Sequence, residues 1–439
     1  MGDSPPVLWI EDAAGHIGET VTLRGWVDQK RSSGKIRFLI LRDGTGYIQG
    51  VASIHDLPEA DWENLDRLTQ ESSVRVTGAL RADKRSAGGC ELTLARVEPL
   101  AIAPEYPIQP KEHGPEFLLD NRHLWLRSRR QHAIMRIRSE VVRACRDYFL
   151  TRGYTLIDSP IFTPAACEGT STLFETEYFG RKAYLTQSGQ LYLEPACMAL
   201  GKVFCFGPTF RAEKSKTRRH LTEFWMLEPE VAFLELDGLL DLAEDFLCTV
   251  MARVLESRGE ELKTLERDVS RLEKIAPPFP RMRYDQAARI LDEKSRERPD
   301  LAFTYGDDFG APHETALVED LDKPLLVTHY PAAVKAFYMQ PATDDPDKAL
   351  CMDVLAPDGY GEIIGGSQRI HDPELLETRI REHDLPQEAF NWYLDIRRYG
   401  TVPHSGFGMG LERFVAWVTG IHHLRETIPY PRMIHRLTP

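Results

Sequence analysis

The chain has 439 residues, 42% of them apolar and 28% charged, a size that predicts two or more domains and a composition that fits a soluble globular protein. Its 54 Lys and Arg against 67 Asp and Glu give a net charge of −13, which argues against general nucleic-acid affinity and leaves only local patches for such contacts. No run of about 18 apolar residues is present, which excludes a membrane-spanning helix.

The opening MGDSPPVLWIEDAAGH carries neither the basic flank and apolar core of a secretory leader nor the composition of a transit peptide, so the cytoplasm is the expected compartment. Seven cysteines, odd in number and without a CxxC pair, fit reduced thiols better than a disulfide framework or structural zinc. Between residues 18 and 100, β-branched runs alternate with turn residues: ETVTLRGWV, KIRFLILRD, GYIQGVAS, SSVRVTGALRAD and CELTLARVEPL. Five strands at this spacing, with a polar helical stretch at EADWENLDRL, predict a closed OB-type β-barrel over 1–104. Within it, Arg24, Lys30, Arg31, Lys35, Arg37 and Arg42 face one acid, Asp28, and form a basic island.

The aperiodic, proline-rich stretch 105–130 reads as a hinge. In RRQHAIMRIRSEVVRACRDYFLTRG, residues Ile134, Ile137, Val141, Val142, Cys145 and Phe149 recur at helical spacing, and Gly153 is placed to end the helix. A second helix is expected from Leu236. Strands and helices alternate to the C-terminus, so the expected class is α+β, with a second domain over 131–439. The stretch from about 255 to 320 matches no recognisable motif.

The strongest local signal is RAEKSKTRRH, residues 211–220, which holds Arg211, Lys214, Lys216, Arg218, Arg219 and His220. A cluster this dense in an acidic protein calls for an anionic ligand. With Glu213 and Phe224, these residues resemble motif 2 (about 207–230) of the class II aminoacyl-tRNA synthetases. RGYTLIDSPIF, with Pro160, resembles motif 1 (about 131–162), and GFGMGLERF, with Arg413, resembles motif 3 (about 404–418). The three follow the family's order behind an OB domain, the arrangement of the aspartyl, asparaginyl and lysyl enzymes.

The resemblance implies a catalytic domain built on an antiparallel β-sheet flanked by helices, ATP as a substrate with Mg2+, and transfer of an amino acid to tRNA. The amino-acid carboxylate is already an ionised nucleophile, so the reaction needs positioning and cations rather than a general base. Arg211 would hold the α-phosphate and the incoming carboxylate together, a task suited to a planar fork. By resemblance, Glu213 accepts from the adenine amino group and Phe224 stacks on the ring. Arg219, His220 and Arg413 reach the γ-phosphate, and Asp353 and Glu362 hold Mg2+. Motif 1 implies a homodimer.

For the amino acid, Asp, Asn and Lys are the alternatives. In TQSGQLYLEP, Gly189 stands where the aspartyl enzymes have Pro, and Leu193 where they have the Lys that binds the substrate carboxylate. Glu228 offers an acceptor for an amide NH2 and opposes a carboxylate, while Arg369 suits either a carboxylate oxygen or an amide carbonyl. Glu168, Ser188 and Gln190 match the contacts to the α-amino group. These residues point to L-asparagine and tRNA(Asn). The alternatives are an aspartyl-tRNA ligase, including a non-discriminating one, an asparagine synthetase-like ligase, and a non-catalytic tRNA-binding protein. In the barrel, Phe38 and Gln49 match the residues that contact the central anticodon uridine in related enzymes, by aromatic stacking and one amide at a base edge, with Arg31 nearby expected to supply a phosphate or base contact.

Overall fold

Alternation of apolar and polar residues closes the N-terminal strands into a barrel. In the computed structural model, which describes residues 4–164, 167, 172–215 and 217–439, the chain divides into two units, Met1–Leu118 and Leu119–Pro439. In the first, a short β1 (Val7–Leu8) lies parallel to β2 (Thr20–Ser33). Strand β2 pairs on one side with β3 (Ile36–Arg42) and on the other with β5 (Ser73–Ala82). Strand β4 (Tyr47–Ser53) joins β3 to β6 (Cys90–Ala101), and β6 returns to β5, so the five strands β2 to β6 close. Val21, Leu23, Leu39, Leu41, Val74, Val76, Leu92 and Leu94 fill the interior at period two. The expected five strands are present, and the polar stretch is the helix Glu59–Arg67. The short β1 carried no signal strong enough to read.

The second unit is built on an eight-stranded sheet. Its strands are β7 (Thr155–Leu156), β11 (Lys202–Phe210), β12 (Glu223–Ala232), β13 (Arg281–Arg283), β14 (Leu325–Thr328), β15 (Cys351–Ala356), β16 (Gly361–Gln368) and β17 (His404–Gly410). A separate small sheet contains β8 (Phe162–Thr163), β9 (Glu175–Tyr178) and β10 (Arg181–Leu185). The large sheet runs β13-β14-β15-β16-β17-β12-β11-β7. It is antiparallel in its centre, as expected, and parallel at its two outermost pairings, β13 with β14 and β11 with β7.

The helices Arg129–Thr151, Leu236–Ser257 and Leu411–Thr419 pack on one face of this sheet around Ile137, Phe149, Phe246, Leu227, Phe407 and Trp417. On the other face the helix Gln190–Leu200 packs with Leu193 and Cys197 against Val203 and Cys205 of β11, and the site lies beside it. Two short helices, Pro115–Asp120 and Arg122–Trp125, occupy the proline-rich stretch. Arg122 is buried there and donates to the carbonyls of Ile428 and Pro429, both at 2.8 Å. The motif-less stretch holds the helices Gly259–Thr264, Tyr284–Ser295 and Ala311–Val318. The last two share a satellite core with Phe309, Leu325 and Tyr330.

Candidate active site

Period two along β12 sorts its side chains onto opposite faces. Leu227 and Val231 enter the core, while Phe224, Met226, Glu228 and Glu230 face the other way. The adjacent β17 makes room for them. A Cβ at Gly406 would run into Glu230, and one at Gly408 into Met226, so the alternate glycines of GFGMG let a carboxylate-bearing strand lie beside them.

Two cavities open over this face. One, of about 130 Å³, is lined by Arg211, Glu213, Arg219, His220, Phe224, Glu362 and Arg413. The expected nucleotide residues are therefore brought together. Arg211 follows the end of β11, with its guanidinium carbon 5.5 Å from the Phe224 ring centroid. Arg413 donates at 2.8 Å to the Glu362 carbonyl and lies 3.5 Å from its carboxylate. Glu213 stands 3.3 Å from His220 Nε2. Burial lowers the His220 pKa against the pull of Glu213, and Arg413, Arg211 and Arg219 add to the effect, so the neutral ring is favoured.

Arg219 differs from expectation in its partners. It is held by Glu314 at 3.4 Å, by Thr315 Oγ1 at 3.3 Å and by the Gly359 carbonyl. Glu314 also accepts from the Glu362 N–H at 3.2 Å. Burial, with Glu362 nearby, pushes the Glu314 carboxyl up to about 7. Glu314 belongs to the stretch without a motif, and no local pattern singled it out.

The second cavity, about 630 Å³, is lined by Ser188, Gln190, Glu228, Lys335, Tyr338, Asp353 and Arg369, and shares Arg211, Met226, Glu362 and Gly408 with the first. Asp353 on β15 and Glu362 on β16 face the same side because of a bulge between Val354 and Leu355, which pairs Leu355 with Glu362. A Cβ at Gly365 would lie 2.8 Å from Glu362 Oε1 and 3.6 Å from Asp353 Oδ1. These are hard oxygen donors above a floor without a side chain, which fits Mg2+. Lys335, unread in the sequence, stands 3.0 Å from Asp353 and 3.3 Å from Asp308. Burial pushes the Asp353 carboxyl up against the pull of Lys335, and Glu362 adds to it.

Glu228 is 4% exposed. It accepts from Ser188 Oγ, from the Gly189 N–H at 2.8 Å and from Cys205 Sγ at 3.3 Å. Arg369 lines the same cavity but is not a bare cation. Its Nε and Nη2 donate to Glu230 at 3.0 and 2.9 Å, and Nη1 donates to Ser367 at 2.9 Å. The sequence reading left Arg369 suited to a carboxylate or an amide; Glu230 compensates its charge and weakens the first option. Gln190 Nε2 donates to Glu194 at 3.1 Å, which turns the amide oxygen of Gln190 away from that carboxylate. Glu194 also accepts from Tyr393, Arg397 and His404, all buried. Glu168 lies outside the described residues.

In the barrel, Arg31 donates to Gln49 at 3.0 Å and lies 4.7 Å from the Phe38 ring centroid. Phe38 is half-buried rather than core. Gln49 Nε2 in turn donates to Glu91 at 3.3 Å, a partner the sequence did not disclose. Half of the basic island is structural. Lys30 donates to the carbonyls of Leu65, Asp66 and Leu68 at 3.1, 2.6 and 2.7 Å, closing the helix Glu59–Arg67. Arg37 pairs with Asp66 at 2.8 Å, and Arg42 pairs with Glu71.

A barrel of this type with a sheet that carries two arginine-lined cavities on its open face defines a class: the chain belongs to the family described as tRNA synthetases class II (D, K and N), which matches residues 114–434. An OB-fold nucleic acid binding domain matches residues 21–100. Within the family, the chain is 57% identical over 442 residues to an asparagine--tRNA ligase of Sorangium cellulosum, covering 99% of each. It is similar to the asparaginyl-tRNA synthetase of Pyrococcus horikoshii complexed with asparaginyl-adenylate, with TM-score 0.94 and 42% identity over 100% of both chains. The Entamoeba histolytica asparaginyl-tRNA synthetase in complex with asparaginyl-adenylate gives TM-score 0.90 and 33% identity, over 99% of this chain and 100% of that one.

Proposed function

We propose that the chain is an asparagine-tRNA ligase: L-asparagine and ATP give asparaginyl-adenylate and pyrophosphate, and the acyl group then passes to tRNA(Asn). One observation carries the choice of amino acid. At the selecting end the cavity is lined by the buried carboxylate Glu228 and the guanidinium Arg369, whose charge is already matched by its buried partner Glu230. That balance favours an uncharged amide and opposes a side-chain carboxylate.

The asparagine carboxylate attacks the α-phosphorus of ATP, and the bond to the pyrophosphate oxygen breaks with its electron pair leaving on pyrophosphate. No proton moves in this step, so no general base is required. Arg211, shared by both cavities, holds carboxylate and α-phosphate in contact and offsets charge in the transition state. Glu213 exchanges His220 for the adenine amino group, with Phe224 on one face of the ring and Arg413 on the other. Arg219 exchanges Glu314 for the γ-phosphate. Ser188 and Gln190 serve the α-ammonium, as does Glu168, and Glu228 accepts from the amide NH2. Asp353 and Glu362 hold Mg2+, which neutralises phosphate charge when bound. In the second step a terminal ribose hydroxyl of the tRNA attacks the acyl carbon and AMP leaves. Arg31, Phe38 and Gln49 serve the anticodon. The enzyme acts as a homodimer through the long helix Arg129–Thr151 and the segment ending at Pro160, in the cytoplasm.

Pyrophosphate exchange measured side by side with Asn, Asp and Lys tests this reading. Exchange with Asn alone is expected; equal rates with Asp would overturn it.

A further inference from the structure

We infer that Gly189 sets amino-acid selectivity through its backbone: its N–H fixes Glu228 in the orientation that meets an amide, and the lack of a side chain gives that carboxylate its place. The inference rests on Glu228 as the selecting residue. Among the donors to Glu228, the Ser188 hydroxyl can rotate and the Cys205 thiol is a weak donor. The Gly189 N–H, 2.8 Å from Oε2, is by contrast a rigid backbone donor of ordinary strength.

Space at residue 189 is tightly limited. A Cβ there would lie 2.6 Å from Cys205 Sγ, 2.7 Å from Ser159 Oγ and 3.2 Å from Glu228 Oε2. The backbone, at φ −84° and ψ −9°, lies in a region open to every residue, so crowding rather than conformation keeps side chains out. The residue also precedes the helix Gln190–Leu200. A carboxylate bound to that N–H therefore meets the positive end of the helix as well. Loss of the N–H removes this rigid anchor from Oε2, so the aim of the carboxylate at the amide is no longer fixed.

Gly189→Ala crowds the site but keeps the N–H, whereas Gly189→Pro crowds it and removes the N–H. Each is made alone and with Ser159→Ala and Cys205→Ala, which clear the space. The readout is the ratio of kcat/KM for Asn and Asp in pyrophosphate exchange, with KM for ATP as the control. Gly189→Pro is expected to lower the ratio on the order of 10- to 100-fold, through KM for Asn, with KM for ATP unchanged. Clearing the space restores the ratio in Gly189→Ala but not in Gly189→Pro. An unchanged ratio in Gly189→Pro, or equal recovery of both variants, overturns the inference. Should Gly189→Pro fail to fold, Gly189→Ala decides: crowding must lower the ratio and clearing must restore it. A wild-type enzyme that activates Asp as well as Asn overturns the role of Glu228 itself, a result distinct from failure of Gly189.

Discussion

Arg369 and Glu230 meet as a two-point ion pair, with N–O distances of 3.0 and 2.9 Å, and both side chains are almost fully buried. Glu230 lies two residues along the same strand from Glu228, so in the proposed function the pair fixes the charge against which Glu228 selects. Glu230→Gln removes the carboxylate paired with the guanidinium and leaves only the field of Glu194 to compensate it. Selectivity for Asn over Asp then falls about tenfold or more, and the broken buried pair costs on the order of 3 kcal/mol of stability. Exchange assays and thermal melts on the same preparation check both effects; an unchanged Asn/Asp ratio excludes Glu230 from selection.

Arg211→Ala is expected to lower pyrophosphate exchange about 10²- to 10³-fold. The side chain lines both cavities rather than the core, so the melting temperature stays close to that of the wild type. Full exchange in the variant would remove Arg211 from the chemistry.

The barrel separates recognition from scaffolding. Phe38→Ala is expected to raise KM for tRNA by a factor equivalent to about 1–3 kcal/mol, with asparagine-dependent exchange unaltered. Lys30→Met, which strips three carbonyls of their donor, should lower the melting temperature and leave KM for tRNA in place. The reverse pattern would show that the basic island acts as a whole.

His423 accepts at Nδ1 from the Arg425 N–H at 3.3 Å. Burial, with Arg425 and Arg218 nearby, holds its imidazole down to about 4. Unfolded His423 takes up a proton near its ordinary value of 6.5 while the folded residue resists it. Stability therefore rises with pH between about 4 and 6.5 and is lost as acid is added through that window. His423→Asn keeps an acceptor but does not titrate, so its loss of unfolding free energy over the window is smaller, by on the order of 2 kcal/mol. Urea titrations across this range measure the difference, and identical slopes would contradict the assignment.

The candidate residues that line the two cavities were legible in the sequence because the motifs are local. RAE, the FWMLEPE strand and the GFGMGLER turn each lie on one hairpin or strand end, and pairing of β12 with β17 brings them together. Partners from distant segments were not legible. Glu314 and Lys335 reach the site through packing of the stretch around Tyr284 and Phe309, and Glu91 reaches Gln49 across a parallel strand pair. Charge counting also misled at Lys30 and Arg37, because a cation's contribution to binding depends on whether a helix end or a carboxylate already holds it. The short β1 and the parallel sheet ends depend on tertiary pairing, which periodicity along one strand does not encode.

Arg211, Met226, Glu362 and Gly408 form a common wall between the two cavities. In the function proposed above, ATP and the free amino acid each engage mainly one room, whereas the mixed anhydride formed from them spans both. Its release requires the two ends to let go together, and whichever end rebinds first recaptures the other at high effective concentration. The shared wall thus acts as a retention device. On that proposal, a reactive, water-labile intermediate is held at both ends until a tRNA arrives to consume it.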